Sequence, residues 1–218
     1  MSAEFAPAPV PFNPECRLCP RLVSYRNAER RAYPTYFNAP VPPFGDSNAR
    51  LLVVGLAPGF HGANASGRPF TGDHAGLILY RNLYEFGFAS APVSTSRDDG
   101  LVLKNCRITN SVKCVPPENK PLPGEIRLCS RYLVSEMQSL PARAIILVLG
   151  VVAHKATLEA LGESHTKFKF AHGKEYVLAS GITVIDSLHT SRYNTQTKRL
   201  TEEMFRAVMK RARELVDS

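Results

Sequence analysis

The sequence predicts an α/β fold: a three-layer α/β/α domain around a central, mostly parallel, four-stranded sheet. Three observations lead there. Short apolar runs of strand length alternate with longer stretches whose apolar residues recur at helical spacing. The strand-like runs read as buried. The segments richest in unusual chemistry each follow such a run, and ligands in such sheets bind beyond the carboxyl ends of the strands.

The elements follow in order. "LVSYRNAERRAY" reads as a helix, with Arg21 just before it and Arg26, Arg30 and Arg31 within it. "FNAPVPPFGD" is a proline-rich loop. "ARLLVVGLAP" is an apolar strand ended by Pro58. "AGLILYRNLYEFGF" places Leu79, Leu83 and Phe86 on one helical side, with Gly87 as its stop. "CRITNSV" is a second strand. "PLPGEIRLCSRYLVSEMQSL" is a helix whose prolines stand only at its start, where they are tolerated. "RAIILVLG" is a third buried strand, followed by the helix "VVAHKATLEALG". "EYVLASGITVIDSLH" reads as strand, turn and strand. "TEEMFRAVMKRARELVDS" is a closing helix with Thr201 as N-cap and two acids in its first turn.

The 218 residues suffice for one domain with a substantial core. We expect a flexible Pro- and Ala-rich arm over residues 1–15 and a single domain over 16–218. No run is long and apolar enough to span a bilayer. The start of the chain, "MSAEFAPAPVPFNPE", lacks a basic region and a long apolar stretch, so no secretory signal is expected. The expected location is cytoplasmic and the expected state is monomeric. The formal net charge of +8 favours an anionic partner.

Of the five cysteines, Cys16 and Cys19 form "CRLC", while Cys114 and Cys129 lie fifteen positions apart. In a chain expected in the cytosol, disulfides are disfavoured. Two closely spaced thiols plus two from elsewhere make a four-thiolate site suited to zinc or to an iron–sulfur cluster. Ligand count alone leaves the occupant open. Cys106 is left over.

Three loops carry the chemistry. In "GLAPGFHGANASGRPFTGDHAG", Gly55, Gly59, Gly62, Gly67, Gly72 and Gly76 permit sharp bends and close approach of backbone to a ligand. The pattern is neither a Walker loop nor GxGxxG. Phe70 offers a face on which a base stacks. Asn110 ends its strand, and its amide can read a base edge bearing adjacent carbonyl and N–H groups. His189 ends "TVIDSLH" and can donate to a developing anion. Arg192, Tyr193, Asn194 and Lys198 follow it, in a loop suited to phosphate contacts.

Taken together, "GLAPG", "TNSVKCVPPENKP", "HTSRYNT" and the four cysteines resemble the uracil-DNA glycosylase superfamily, from about Cys16 to the final helix. Ala57 before Pro58, followed by "GRPFTGD", resembles its family 5, the iron–sulfur type. That resemblance implies a structural [4Fe–4S] cluster on Cys16, Cys19, Cys114 and Cys129, with zinc the second choice. It implies a monofunctional glycosylase releasing uracil and other deaminated bases such as hypoxanthine from DNA. Position 57 then supplies no carboxylate to activate water, and stabilising the departing base anion through His189 becomes the main task. The base site would comprise Gly55, Ala57, Phe70 and Asn110. Water would be positioned by Asn64, which we favour, or by Asp73, whose other role is capping the next helix. Arg192 or Tyr193 would fill the gap left by an extruded base. Two rival functions remain: a non-catalytic binder of extruded bases, and a hydrolase acting on free nucleotides.

Overall fold

The computed structural model describes residues 8–218. The first seven positions of the expected arm lie outside the described residues. The rest of it has no regular structure, yet Val10 packs against the cysteine-bearing region and the Phe12 ring meets Tyr132 edge-on at 5.8 Å. This part is docked, because an apolar or aromatic side chain gains more by covering the thiol region than by remaining in water.

The elements are α1 (Pro20–Ala32), β1 (Phe44–Gly45), β2 (Leu51–Gly55), α2 (Ala63–Ser66), α3 (His74–Glu85), β3 (Cys106–Asn110), α4 (Pro123–Gln138), β4 (Ile145–Leu149), α5 (Val151–Ala160), β5 (Glu175–Val177), β6 (Thr183–Ser187), α6 (Arg192–Gln196) and α7 (Glu202–Asp217), with a 3-10 turn at Pro117–Asn119. The sheet order is β1-β3-β2-β4-β6-β5. The four inner strands, β3, β2, β4 and β6, run parallel. The expected count of four holds for them alone: β1 and β5 add antiparallel edges and bring the sheet to six. With only two and three residues, these edges carry no readable period.

The strands β2, β4 and β6 are buried at every position, which explains the near-continuous apolar runs of β2 and β4; β6 interrupts its run with Asp186 and Ser187. Alternate side chains face opposite layers. Leu51, Val53, Ile108, Leu147 and Ile185 pack with α3 and α7, while Leu52, Val54, Ile146, Val148 and Val184 pack with α4 and α5. On α7, Phe205, Val208, Met209, Ala212 and Val216 form the buried stripe, and the Thr201 hydroxyl caps the helix by accepting from the Met204 amide at 3.2 Å. A third, smaller core joins Leu22 of α1 to Val112, Cys114, Cys129 and Tyr132.

The chain winds outward from β2 to β3 on one side and from β4 to β6 on the other. The adjacent pair β2 and β4 is therefore the switch point of the sheet. Register places Gly55 beside Asn110 and Leu149 beside Ser187, so the loops following all four parallel strands open on the same side.

Candidate active site and thiol cluster

The pocket begins with a glycine that gives up space. A Cβ on Gly55 would lie 2.4 Å from Asn110 Oδ1 and 2.6 Å from Phe70 Cζ. Only a residue without a side chain lets the amide and the ring meet over the end of β2. Phe70 holds φ +55°, a left-handed conformation that costs energy and persists where its surroundings fix it. Gly76 is part of that surrounding: a Cβ there would come within 1.7 Å of the Phe70 carbonyl oxygen. Tyr80 donates its hydroxyl to the Pro69 carbonyl at 2.8 Å, holding the same turn from α3.

Asn110 is buried, and its Oδ1 has no hydrogen-bond partner. A buried acceptor left unpaired costs roughly 1–3 kcal/mol unless something donates to it. Behind it, Lys113 is 1% exposed; its ammonium donates to Thr109 Oγ1 and to the Asn110 carbonyl at 2.9 Å, and pairs with Glu136 of α4 at 2.8 Å.

His189 arrives from the far side, two residues beyond β6. Its ring lies 6.0 Å from that of Phe70, tilted by 29°. Desolvation alone pushes its imidazole down to about 4, so the ring is neutral at physiological pH and keeps an N–H to donate. Its carbonyl accepts from Asn194 Nδ2 at 2.8 Å, and the Leu188 amide donates to His172 Nδ1 at 3.1 Å. Thr190 Oγ1 donates to the Ala75 carbonyl at 3.1 Å, tying this loop to α3.

The two candidates for holding water differ in setting. Asn64 is completely buried on α2; its Nδ2 donates to Asn38 Oδ1 at 2.9 Å and its backbone amide to the Gly59 carbonyl at 3.0 Å. It braces the glycine loop from inside. Asp73 caps α3, its Oδ1 accepting from the Gly76 amide at 2.9 Å. Its Oδ2 faces the glycine loop, 2.6 Å from where a Cβ on Gly62 would stand. Burial raises the Asp73 carboxyl above its ordinary value, with the backbone bond to Gly76 opposing. Ala57 is half-buried and packs against the third core, beside the thiols.

The expected DNA-contacting residues separate. Arg192, Tyr193 and Lys198 are exposed, Tyr193 at 63%. Asn194 instead turns inward to the His189 carbonyl, which sequence order alone had not distinguished from its neighbours. Three other side chains went unread: Lys113, Glu136 and His172. Lys113 lies in the loop after β3 and Glu136 on α4, and nothing in their local sequence marks them as buried.

Cys16, Cys19, Cys114 and Cys129 all line one pocket, together with Leu22, Val112 and Tyr132. Cys16 and Cys19 come from the turn before α1, Cys114 from the loop after β3, and Cys129 from α4. Donors aim at two of the sulfurs: Arg26 Nη1 at Cys114 Sγ, 3.1 Å, and the Lys113 amide at Cys129 Sγ, 3.3 Å. Such N–H groups suit thiolates rather than thiols. Among the described residues, no three His, Cys, Asp or Glu side chains stand close enough to hold a single ion. Cys106 is fully buried elsewhere, beneath α3 and α7. No helix among the described residues is long and apolar enough to cross a membrane.

Comparison with known proteins places this geometry in a family. Residues 42–213 match the model of the Uracil DNA glycosylase superfamily. A type-5 uracil-DNA glycosylase of Thermus thermophilus is 46% identical over 92% of this chain and 93% of its own length. That of Pyrobaculum aerophilum is 45% identical over 90% of this chain and 87% of its own. A type-4 uracil-DNA glycosylase of the same organism is 32% identical over 69% of each chain. A chain this similar to the type-5 proteins, and matched by that model over most of its length, belongs to the uracil-DNA glycosylase superfamily.

Proposed function

We propose that this protein is a DNA glycosylase that releases uracil, and with it hypoxanthine, from DNA by hydrolysing the N-glycosidic bond. The observation that carries the reading is the unpartnered Oδ1 of Asn110, buried against Phe70. An acceptor there calls for a base N–H, with a carbonyl beside it for the amide N–H₂. Uracil offers this pair at N3 and O4, and hypoxanthine at N1 and O6. Cytosine presents a lone pair at N3 and is repelled. The similarity to type-5 uracil-DNA glycosylases supports uracil in DNA; the extension to hypoxanthine rests on the shared edge.

The residues then divide the reaction. The target nucleotide leaves the stack at a cost of a few kcal/mol, least for a mispaired base. Phe70 stacks on it and Asn110 reads its edge. The C1′–N bond breaks with its electron pair going to the base, and neutral His189 donates a hydrogen bond to the carbonyl on which that charge gathers. One such preorganised donor is worth about 3–4 kcal/mol in the transition state. Water adds to C1′, and we assign its positioning to the free oxygen of Asp73, which takes the proton. The raised carboxyl suits that task. Asn64, held by Asn38, supports the loop. Arg192 and Tyr193 face outward, where either fills the vacated stack, and Lys198 meets phosphate.

On the four thiols we favour a [4Fe–4S] cluster, with zinc the second choice. The donor set is all sulfur, and N–H groups point at Cys114 Sγ and Cys129 Sγ, as the sulfurs of such clusters accept. When bound, the cluster would supply a structural tether between α1, the loop after β3 and α4, without redox chemistry.

The test uses duplexes and single strands bearing one deoxyuridine or deoxyinosine, with release of the free base measured. Uracil and hypoxanthine should both be released, and cytosine and adenine should not. Release of neither base overturns the reading. Release of uracil alone removes the hypoxanthine extension. Turnover of mononucleotides without dependence on salt would favour the free-nucleotide hydrolase, because several phosphate contacts make DNA binding weaken steeply with salt.

A further inference from the structure

The segment before β5 looks like a surface loop, but it is pinned to β6 at several points. His154 of α5 sits between Asp186 Oδ1, 2.7 Å from its Nδ1, and the Phe168 carbonyl, 2.8 Å from its Nε2. Asp186 Oδ2 accepts from the Ala171 amide at 3.1 Å. The Asp186 carbonyl accepts from the Gly173 amide at 2.7 Å, and the Asp186 amide donates to the Lys174 carbonyl at 2.9 Å. These bonds fix the backbone on both sides of residue 172. Asp186 and His154 are essentially unexposed, so the clamp is shielded from competing water.

What the clamp presents is His172. Its Nδ1 accepts from the amide of Leu188, the residue immediately before His189. We propose that His172 is a positioning residue for the glycosylase reaction, holding the peptide that aims His189 at the departing base. The inference rests on the function proposed above. Two other bonds secure the same loop just beyond it, Asn194 Nδ2 to the His189 carbonyl and Thr190 Oγ1 to the Ala75 carbonyl. Without His172 the Leu188 amide loses its acceptor, and the peptide keeps the bond that its Ser187 carbonyl accepts from the Gly150 amide at 2.7 Å. Accepting at Nδ1 requires that nitrogen to be unprotonated. Burial favours this by lowering the His172 imidazole below its ordinary value, with a Met204 backbone contact opposing. A displacement of about 1 Å at a catalytic group is enough for losses of the order of a hundredfold.

The variants His172→Ala and His172→Asn separate positioning from general support. Asparagine places its Oδ1 where Nδ1 stood and restores the acceptor. Single-turnover excision of uracil by H172A should fall about 10- to 100-fold, with affinity for DNA carrying an uncleavable analogue changed by less than about twofold. H172N should recover most of the rate. A rate for folded H172A near that of the wild type, or H172N no better than H172A, overturns the inference. Should H172A not fold, H172N is compared with H172Q, whose acceptor sits one bond too far; equal rates overturn it. A readout independent of turnover is the nitrogen-15 spectrum of His172: an unprotonated Nδ1 supports the assignment and a protonated one overturns it. Absence of any uracil release by the wild type, together with an unprotonated Nδ1, would sink the proposed function but not the hydrogen bond.

Discussion

The two rims of the pocket are held in place by opposite means. Behind Asn110 stand a buried ion pair, Lys113–Glu136, and two of the four thiols. Behind His189 stand neutral hydrogen bonds, from the Leu188 amide to His172, from Asn194 to the His189 carbonyl and from Thr190 to the Ala75 carbonyl, and desolvation alone accounts for the shift of its imidazole. The Asn110 rim, which we propose reads the base, is held by charge and lies beside the thiols that would bind a cluster. The His189 rim, which we propose receives the developing anion, is held by neutral groups. A fixed cation beside His189 would hold charge in the ground state as well, whereas a neutral donor interacts most strongly once the base becomes an anion.

Removing one partner of the charged rim should have the largest effect. Glu136→Leu leaves Lys113 buried without its counter-ion and should cost about 3–5 kcal/mol of stability, read as a lower urea midpoint. The double variant with Lys113→Met should regain much of it, and if it does not, the pair is not what holds that rim. Next, His189→Ala should lower the excision rate by roughly 10²–10³ while DNA affinity stays within a few-fold. A loss of affinity equal to the loss of rate would instead make His189 a binding residue.

A pH series sharpens the contrast. The His189 imidazole lies at about 4 in the folded protein against an ordinary 6.5. Between these values the unfolded chain binds a proton that the folded one refuses. Its contribution to stability is therefore complete above about 6.5 and declines as pH falls toward 4. The melting temperature of His189→Gln should fall less steeply than that of the wild type across this window, and parallel curves would refute the neutral rim. Asn110→Ala should cost about 1–3 kcal/mol in uracil excision and relax discrimination against cytosine, measured as a ratio of kcat/KM. Smallest of all, Ser191→Ala removes the side-chain acceptor for the Asn194 amide. It should cost about 1 kcal/mol or less, seen as faster amide exchange confined to α6.

Much of this was legible in the sequence. The parallel strands announced themselves as apolar runs because both of their faces are covered. The ends of those runs marked the pocket, since glycine, asparagine and histidine there lie outside the core pattern. Asp73 was readable as a cap from its place before a helical repeat. The remainder depends on pairings across long stretches of chain. Lys113 meets Glu136 across 23 positions of sequence, and nothing local tells a buried ammonium from a solvated one. His172 and Asn194 lay among polar neighbours of similar composition, and only the clamp on β6 and the turn of α6 select them. The short strands β1 and β5 and the helices α2 and α6 contain too few residues to show a period. They exist because neighbouring elements supply their hydrogen bonds.

The brevity of those outer strands has a consequence of its own. A long exposed margin is a template to which another chain adds, and proteins that travel along DNA at high local density would be vulnerable to such sticking. Here β1 ends after two residues and β5 after three, and they leave few free backbone groups to recruit a neighbour. Extending either by even a few β-branched residues should trade colloidal stability for a tendency to self-associate.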